Sequence, residues 1–327
     1  MRRPLLLAFG LVLGLLAAAC SSDDGTPPTT APTGPTGSTG STAGMVAIAA
    51  SVDLYVGEPQ RVAFGLVLPD GSLVSFGELG VEFTYLGTAE VPAQAPGPAA
   101  MAGFIPTYGT PAGTGGARVT SPDEARGVYQ ASDVVFEEPG FYTASLTADV
   151  EGLGTQVAET TIEVLGAAQM PAPGDQAPAT ENLTLDSKDV PEAAIDSRVA
   201  TEGAIPDPEL HGTTIAAALQ AGRPVLAVVA TPVYCASRFC GPVTDMIQDL
   251  AGRYAERAAF IHIEIWEDFD TQTLNQAAID WLLLPSGDLT EPWLFLIDGD
   301  GIIVDRWSSL WSQAEVEAAL RSLPEAG

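Results

Sequence analysis

The chain has 327 residues, with 42 acidic residues against 13 basic ones and a formal net charge of −29. This length is enough for two ordinary domains with linkers. Because the few basic residues are not clustered, nucleic acid and anionic lipid head groups are excluded as favoured binding partners. The acidity favours solubility and carries no information about a substrate.

The first 19 residues have the pattern of an export signal. Arg2 and Arg3 precede an apolar run over residues 5–19, which is too short to span a membrane comfortably. Small residues followed by Cys20 resemble the lipobox of bacterial lipoproteins. The resemblance implies cleavage before Cys20 and a lipid on its sulfur. The alternative is an ordinary signal peptide with an incidental cysteine.

Residues 20–44 are predicted to be a lipidated cysteine followed by a disordered tether. The segment consists almost wholly of Ser, Thr, Pro, Gly, Ala and Asp. With no large apolar side chains to bury, it cannot offset the entropy lost on ordering. As a flexible coil it would reach roughly 25–30 Å from a membrane. We therefore expect a protein anchored in the cell membrane, on its extracytoplasmic side.

Residues 45–166 are predicted to form an all-β domain. Several short segments alternate apolar and polar residues and are separated by turn residues, as in an antiparallel sandwich. The run from Glu137 to Tyr142 resembles the entry to a late strand of immunoglobulin-like sandwiches. There the tyrosine hydroxyl bonds back to the preceding loop. Residues 88–116 are expected to be a long Ala/Pro/Gly loop, and the domain shows no site of its own.

Residues 167–206 are predicted to be a Pro/Ala-rich, acidic connector. Its part from Pro171 to Pro178 resembles the lead-in of exported thioredoxin-like and peroxiredoxin-like proteins. That resemblance implies an extended piece lying along the following domain. The rest, residues 180–206, is expected to be irregular and either loosely packed or mobile.

Residues 207–327 alternate helices and strands. The apolar run 224–229 predicts a strand buried on both faces, and residues 243–254 have the period of an amphipathic helix. Ser312 with Glu315 predicts a capping box at the last helix. The other predicted elements are helices over 213–221 and 271–284, a strand over 259–265 and a hairpin over 293–305.

A pair of cysteines, Cys235 and Cys240, follows the first of these strands and precedes a helix. A helix N-terminus and an adjacent cation, here Arg238, lower the pKa of a thiol. A second cysteine can then resolve a mixed disulfide. On an ideal helix, positions five apart point about 140° away from each other. Cys235 must therefore precede the helix, or the first turn must unwind when the bond forms.

Pro242 leaves two possibilities for the start of this helix. It either kinks a helix that has begun near Cys235, or it is the first helical residue with Gly241 as its cap. In the second case Cys240 lies closer to the positive helix end. We favour Cys235 as the nucleophile because it follows the strand directly, with Cys240 as the alternative.

This order of elements, together with the cysteine loop, resembles the thioredoxin superfamily over about 120 residues. The resemblance implies an α/β thioredoxin-like fold and a cis Pro292 that faces the cysteines. The sequence from Phe295 to Gly301 is similar to the hairpin of exported thiol–disulfide proteins. Two features depart from the family. Four residues rather than two separate the cysteines, and Glu291 beside the sulfurs would raise the thiol pKa unless it pairs with Arg238.

The expected function is thiol–disulfide exchange with protein thiols or disulfides of the cell envelope, without a cofactor or metal. One alternative is a binding or structural domain with a stable Cys235–Cys240 disulfide. Another is a peroxiredoxin-like peroxidase, because Thr231 and Pro232 precede Cys235. The last is copper handling by the two cysteines with His262, although a histidine in the middle of a strand is more often a core residue.

Overall fold

The computed structural model describes residues 44–111 and 113–324. The predicted signal peptide, the lipid attachment at Cys20 and nearly all of the tether lie outside these residues. Within the described part, none of the helices has the length and apolar character needed to cross a membrane.

The first part of the described chain is a nine-stranded sheet in which every strand pair is antiparallel. The strand order is β6-β3-β2-β7-β5-β4-β8-β9, and β1 pairs with β2. The predicted all-β character is thus confirmed, with all nine strands joined in one hydrogen-bonded sheet. The strands are β1 Val46–Ala49, β2 Gln60–Val67, β3 Leu73–Ser75, β4 Glu78–Gly87, β5 Pro92–Pro106, β6 Arg118–Thr120, β7 Gly127–Val134, β8 Gly140–Val150 and β9 Gly154–Val164.

The expectation of a long loop over residues 88–116 was wrong, because β5 occupies much of it. The second half of β5 pairs with β7 and β4, whereas its first half pairs with β4 alone. Pro96 and Pro98 lie in that first half, where one edge of the strand pairs with no other strand among the described residues. A proline is tolerated on such an edge because no ladder donor is needed there. The Ala/Pro/Gly composition of this segment is typical of a loop, and it therefore led to a wrong prediction for β5.

Aromatic side chains fill the core that this sheet encloses. Phe83 packs edge-on against Phe136, which in turn packs against Tyr142. The Tyr142 hydroxyl donates to the Glu138 carbonyl oxygen at 2.8 Å. The predicted tie between this tyrosine and its preceding loop is confirmed.

The second part is a four-stranded mixed sheet of order β11-β10-β14-β15 with helices on both faces. Strand β10 runs parallel to β11 and antiparallel to β14. Alternate residues of β10 enter two separate apolar cores, one with α3 and α5 and the other with α2 and α4. The elements are α2 Ile215–Gln220, β10 Val225–Val229, α3 Cys240–Tyr254, β11 Ala259–Ile263, α4 Gln276–Leu282, β14 Trp293–Ile297, β15 Ile303–Ser308 and α5 Gln313–Ser322.

The helix predicted over 271–284 is shorter in the structure. It begins at Gln276, after the short paired strands β12 Trp266–Asp268 and β13 Thr273–Leu274. Asn275 sets this start because its side chain accepts the Ala277 N–H at 3.1 Å. A local capping interaction thus overrides the longer apolar pattern.

The last helix begins where the sequence predicts, but only the Ser312 half of the predicted capping box is formed. The Ser312 hydroxyl accepts the Glu315 N–H at 3.2 Å. The Glu315 carboxylate, however, bonds Arg61 of the nine-stranded sheet at 2.5 Å. Arg61 also forms an ion pair with Asp305 at 2.8 Å. The two parts of the protein are therefore joined by charged as well as apolar contacts.

The connector has two different structures. Around Asp175 it runs antiparallel to the start of β15, where the Ile303 N–H donates to the Asp175 carbonyl at 3.0 Å. This confirms the extended lead-in. The expectation of loose packing over 180–206 was wrong, because Asp196, Ser197 and Arg198 are buried just before α1 Val199–Glu202. Their partners are histidines and acids of the following part of the chain.

Candidate functional site

The loop between β10 and α3 carries both cysteines. Strand β10 ends at Val229 and α3 begins at Cys240, two residues before Pro242. Pro242 lies in the first helical turn, where its missing N–H costs no hydrogen bond. The structure thus matches neither predicted position of Pro242, and it places Cys240 at the positive end of the helix.

Cys235 and Cys240 form a disulfide, with Cα atoms 6.0 Å apart. Cys235 lies in the loop and not on the helix, which is the first of the two arrangements that the spacing allowed. This position resolves the geometric conflict of a five-residue separation, because only one of the two cysteines is helical. The helix therefore does not have to unwind for the bond to form.

The two sulfur atoms differ in their surroundings. Cys235 is 9% exposed and Cys240 is fully buried, so a reagent reaches the pair from the Cys235 side. The Cys235 sulfur also accepts the Cys240 N–H at 3.4 Å and lies 3.2 Å from the Ser237 hydroxyl. Both contacts would stabilise a thiolate at Cys235 in the reduced protein.

Glu291 lies on the other side of the pair. The peptide bond between Glu291 and Pro292 is cis, as predicted. One carboxylate oxygen, Oε2, lies 3.6 Å from the Cys240 sulfur and accepts the Thr231 N–H at 2.7 Å. Burial raises the pKa of Glu291 to about 7, against the opposing effect of the Thr231 N–H. The Glu264 carboxylate contributes a smaller increase. The group can thus exchange a proton near neutral pH.

Arg238 does not provide the cation that the sequence suggested. Its side chain is exposed, and its backbone φ of 60° lies in the left-handed region. Within residues 44–111 and 113–324, its guanidinium forms no hydrogen bond or ion pair. The pairing of Arg238 with Glu291 that the sequence left open is therefore not formed.

A cavity of about 390 Å³ opens beside the sulfur site. Its walls come from both parts of the protein. Phe239 and Pro292 belong to the site itself, whereas Ile48 and Val128 come from the nine-stranded sheet. The lining is mainly apolar, so the cavity suits an apolar side chain that is presented next to the disulfide.

Behind the cysteine loop lies a buried polar cluster that the sequence did not reveal. It comprises the side chains of Asp196, Arg198, Asp207, His211 and His262, each at most 8% exposed. The predicted core position of His262 is correct, and its Nε2 lies 3.0 Å from the Ala230 carbonyl oxygen. These residues were missed because they come from three separate segments of chain: the connector, the stretch before α2, and β11.

The cluster contacts the cysteine loop through Ser197. Its hydroxyl accepts the N–H of Val233, two residues before Cys235, at 3.3 Å. The Ser197 N–H in turn donates to Glu264 Oε2 at 2.9 Å. The acidic connector therefore holds the cysteine loop in place through the hydrogen bond between Ser197 and Val233.

Glu291→Gln is expected to change how stability depends on pH. A raised pKa means that the folded protein holds this proton more tightly than the unfolded chain does. The stability contributed by protonated Glu291 is complete below about pH 4.5 and declines as the pH rises through about 7. The free energy of unfolding falls by about 3 kcal/mol over this range, because each unit of difference between the folded and unfolded pKa corresponds to roughly 1.4 kcal/mol.

This dependence is measured by guanidinium unfolding of the oxidised protein between pH 4 and pH 8, for wild type and Glu291→Gln. Contributions of other groups cancel in the difference between the two proteins. A difference that stays constant across this range would show that Glu291 has an ordinary pKa.

Neither a model of a protein family nor a curated protein matches the sequence of this chain.

Proposed function

We propose that this protein is a thioredoxin-like thiol–disulfide oxidoreductase, anchored by lipid on the extracytoplasmic side of the cell membrane. The observation that carries the proposal is the Cys235–Cys240 disulfide at the start of a helix, with Cys235 9% exposed and a carboxyl group beside the Cys240 sulfur. This combination provides an attack site, a leaving group and a proton donor.

The fold supports the same proposal at a coarser level. The mixed sheet has helices on both faces, and the cysteine loop leaves a central strand. We take this part as the thioredoxin-like domain that the sequence resembles. The nine-stranded part, with its tyrosine tie at Tyr142, is taken as the immunoglobulin-like domain.

In the proposed exchange, a thiolate of a partner protein attacks the Cys235 sulfur. The Cys235–Cys240 bond breaks, and the Cys240 sulfur leaves with the bonding electron pair while a mixed disulfide forms. A second thiolate of the partner then attacks the partner's own sulfur and releases Cys235. The partner becomes a disulfide and the cysteine pair becomes a dithiol, a transfer of two electrons. The reverse sequence oxidises the pair.

Glu291 is the proton carrier in this scheme. Protonated, it donates to the Cys240 sulfur as that sulfur leaves. Ionised, it accepts the proton of the Cys240 thiol when the pair is reoxidised. A pKa of about 7 allows both directions near neutral pH, because both protonation states are populated.

The cavity lined by Ser237, Phe239, Glu291 and Pro292 is the proposed contact site for the partner. Its apolar walls favour a partner segment that places an apolar residue next to its cysteine. Because Ile48 and Val128 form part of the wall, the nine-stranded part takes part in choosing the partner.

The predicted location agrees with the chemistry. Lipid at Cys20 and the tether up to residue 44 would hold the domains outside the cytoplasm. Disulfides persist in such oxidising compartments. Exchange with envelope proteins then requires no soluble cofactor.

The proposal is tested by titrating the full-length chain in glutathione buffers and mapping the cysteines by mass spectrometry. The expected result is reversible conversion of Cys235 and Cys240 at a potential above about −300 mV, the approximate limit for structural disulfides. A pair that stays oxidised at lower potentials would assign the disulfide a structural role. Rapid, peroxide-dependent sulfenylation of Cys235 would instead identify a peroxidase.

A further inference from the structure

Four buried side chains behind the cysteine loop bring their polar atoms close together. They are Asp196, Asp207, His211 and His262, and one ligand atom from each lies within 4.8 Å of the others. All four side chains are fully buried. The cluster lies outside the proposed sulfur chemistry, which uses none of these residues.

The spacing of these atoms is unusual for direct hydrogen bonds. His211 Nε2 lies 3.3 Å from Asp207 Oδ1 and 3.6 Å from Asp196 Oδ2. His262 Nδ1 lies 3.5 Å from the same oxygen of Asp196. Hydrogen bonds between imidazolium and carboxylate are shorter, about 2.7–2.9 Å. Ligands at the corners of a tetrahedron around Zn²⁺ lie about 3.3–3.4 Å apart, given bonds of about 2.0–2.1 Å.

Most of these atoms also lack any other partner. Within the described residues, Asp207 Oδ1, His211 Nε2 and His262 Nδ1 are buried without a hydrogen bond. Leaving several polar atoms buried and unpaired is costly, and each such group in a native protein calls for an explanation. A shared ion at their common point would satisfy all three.

Neighbouring groups orient three of the four ligands as they do in metal sites, whereas Nδ1 of His211 is buried without a hydrogen bond among the described residues. His262 Nε2 lies 3.0 Å from the Ala230 carbonyl, which fixes the ring with Nδ1 towards the cluster. Arg198 Nη2 donates to the Asp196 carboxylate at 2.6 Å and also bonds Asp207 Oδ2. Asp207 Oδ1 is thereby left to face His211.

We propose that Asp196, Asp207, His211 and His262 form a buried structural site for Zn²⁺. Two imidazole nitrogens and two carboxylate oxygens are ligands that zinc accepts, and four protein ligands make a closed site. The ion joins the connector to β11 and to the segment before α2. It thereby fixes Ser197, which supports the cysteine loop at Val233.

The test uses the full-length chain, purified in detergent with its disulfide oxidised. Metal content is measured after dialysis against Zn²⁺ and removal of free ion, and Co²⁺ is then substituted as a spectroscopic probe. The expected result is one ion per chain and a Co²⁺ spectrum of tetrahedral intensity without a thiolate charge-transfer band. Failure to retain stoichiometric metal, or a thiolate band, would overturn the proposal.

Variants then identify the ligands. Asp207→Asn and His211→Gln are expected to weaken zinc binding at least about tenfold. Asp245→Asn is the matched control, because Asp245 also contacts Arg198, at 3.2 Å, but lies outside the four-ligand set. The double variant Cys235→Ser/Cys240→Ser should still retain one ion. Equal binding by Asp207→Asn and the control would contradict the assignment. If a ligand variant does not fold, the wild-type Co²⁺ spectrum still decides the question.

Discussion

Cys240→Ser is expected to accumulate covalent complexes with partner proteins through Cys235. Without Cys240, the mixed disulfide formed at Cys235 has no internal thiol to resolve it. Cys235 is the sulfur expected to react because it is 9% exposed, whereas Cys240 is fully buried. The complexes are measured on non-reducing gels after acid quenching, and the linked cysteine is identified by mass spectrometry. Steady-state exchange should fall by at least about a hundredfold, since nucleophile and resolving group act as a unit.

The matched control is Cys235→Ser, which retains the buried sulfur alone. It is expected to form no trapped complex and to lose exchange to the same extent. Trapping by Cys235→Ser but not by Cys240→Ser would reverse the roles and make Cys240 the nucleophile, as its place at the helix start allows. Full activity in both variants would remove the cysteine pair from the chemistry altogether.

Arg198→Met is expected to cost about 3–5 kcal/mol of unfolding free energy. Arg198 is the partner of two fully buried carboxylates, Asp196 and Asp207. Removing a cation from such a group leaves buried charge without compensation, which is much more costly than losing a surface pair. Methionine keeps most of the side-chain volume, so the loss reports charge and not a cavity.

The loss is measured by guanidinium unfolding at neutral pH, with a chelator present so that bound metal does not contribute. Arg253→Met is the control, because its pairs with Asp249 and Glu317 lie at the surface. It should change stability by about 0–1 kcal/mol. A cost below about 1 kcal/mol for Arg198→Met would mean that protons or other groups neutralise the two aspartates.

Elements with a strong local signal were predictable from the sequence. The buried run at β10 and the serine cap at Ser312 each reflect one short stretch of chain. The cysteine pair was found in the same way, and its spacing required either that Cys235 precede the helix or that the first helical turn unwind. The cis bond at Pro292 came from the resemblance to a family and not from a local rule.

Features that depend on contacts between distant segments were not predictable. Strand β5 is specified by its pairing with β4 and β7, which outweighs a composition typical of loops. The buried cluster joins Asp196 of the connector to His262 of β11, residues that share no period. For Arg238 the sequence predicted a contact that is not formed. The residue lies between the two cysteines in the chain, but its side chain is exposed and its charge is not beside the sulfurs.

The lead-in at residues 174–177 has a consequence for solubility. Strand β15 lies at the margin of the mixed sheet, and an open margin of this kind can recruit strands of other molecules and start aggregation. Here the backbone of Ile303 is already bonded to Gly174 and Asp175, and Arg61 donates to the Arg306 carbonyl at 3.2 Å. The protein's own backbone thereby covers this edge of the sheet, so that fewer backbone groups remain available for pairing with a strand of another molecule.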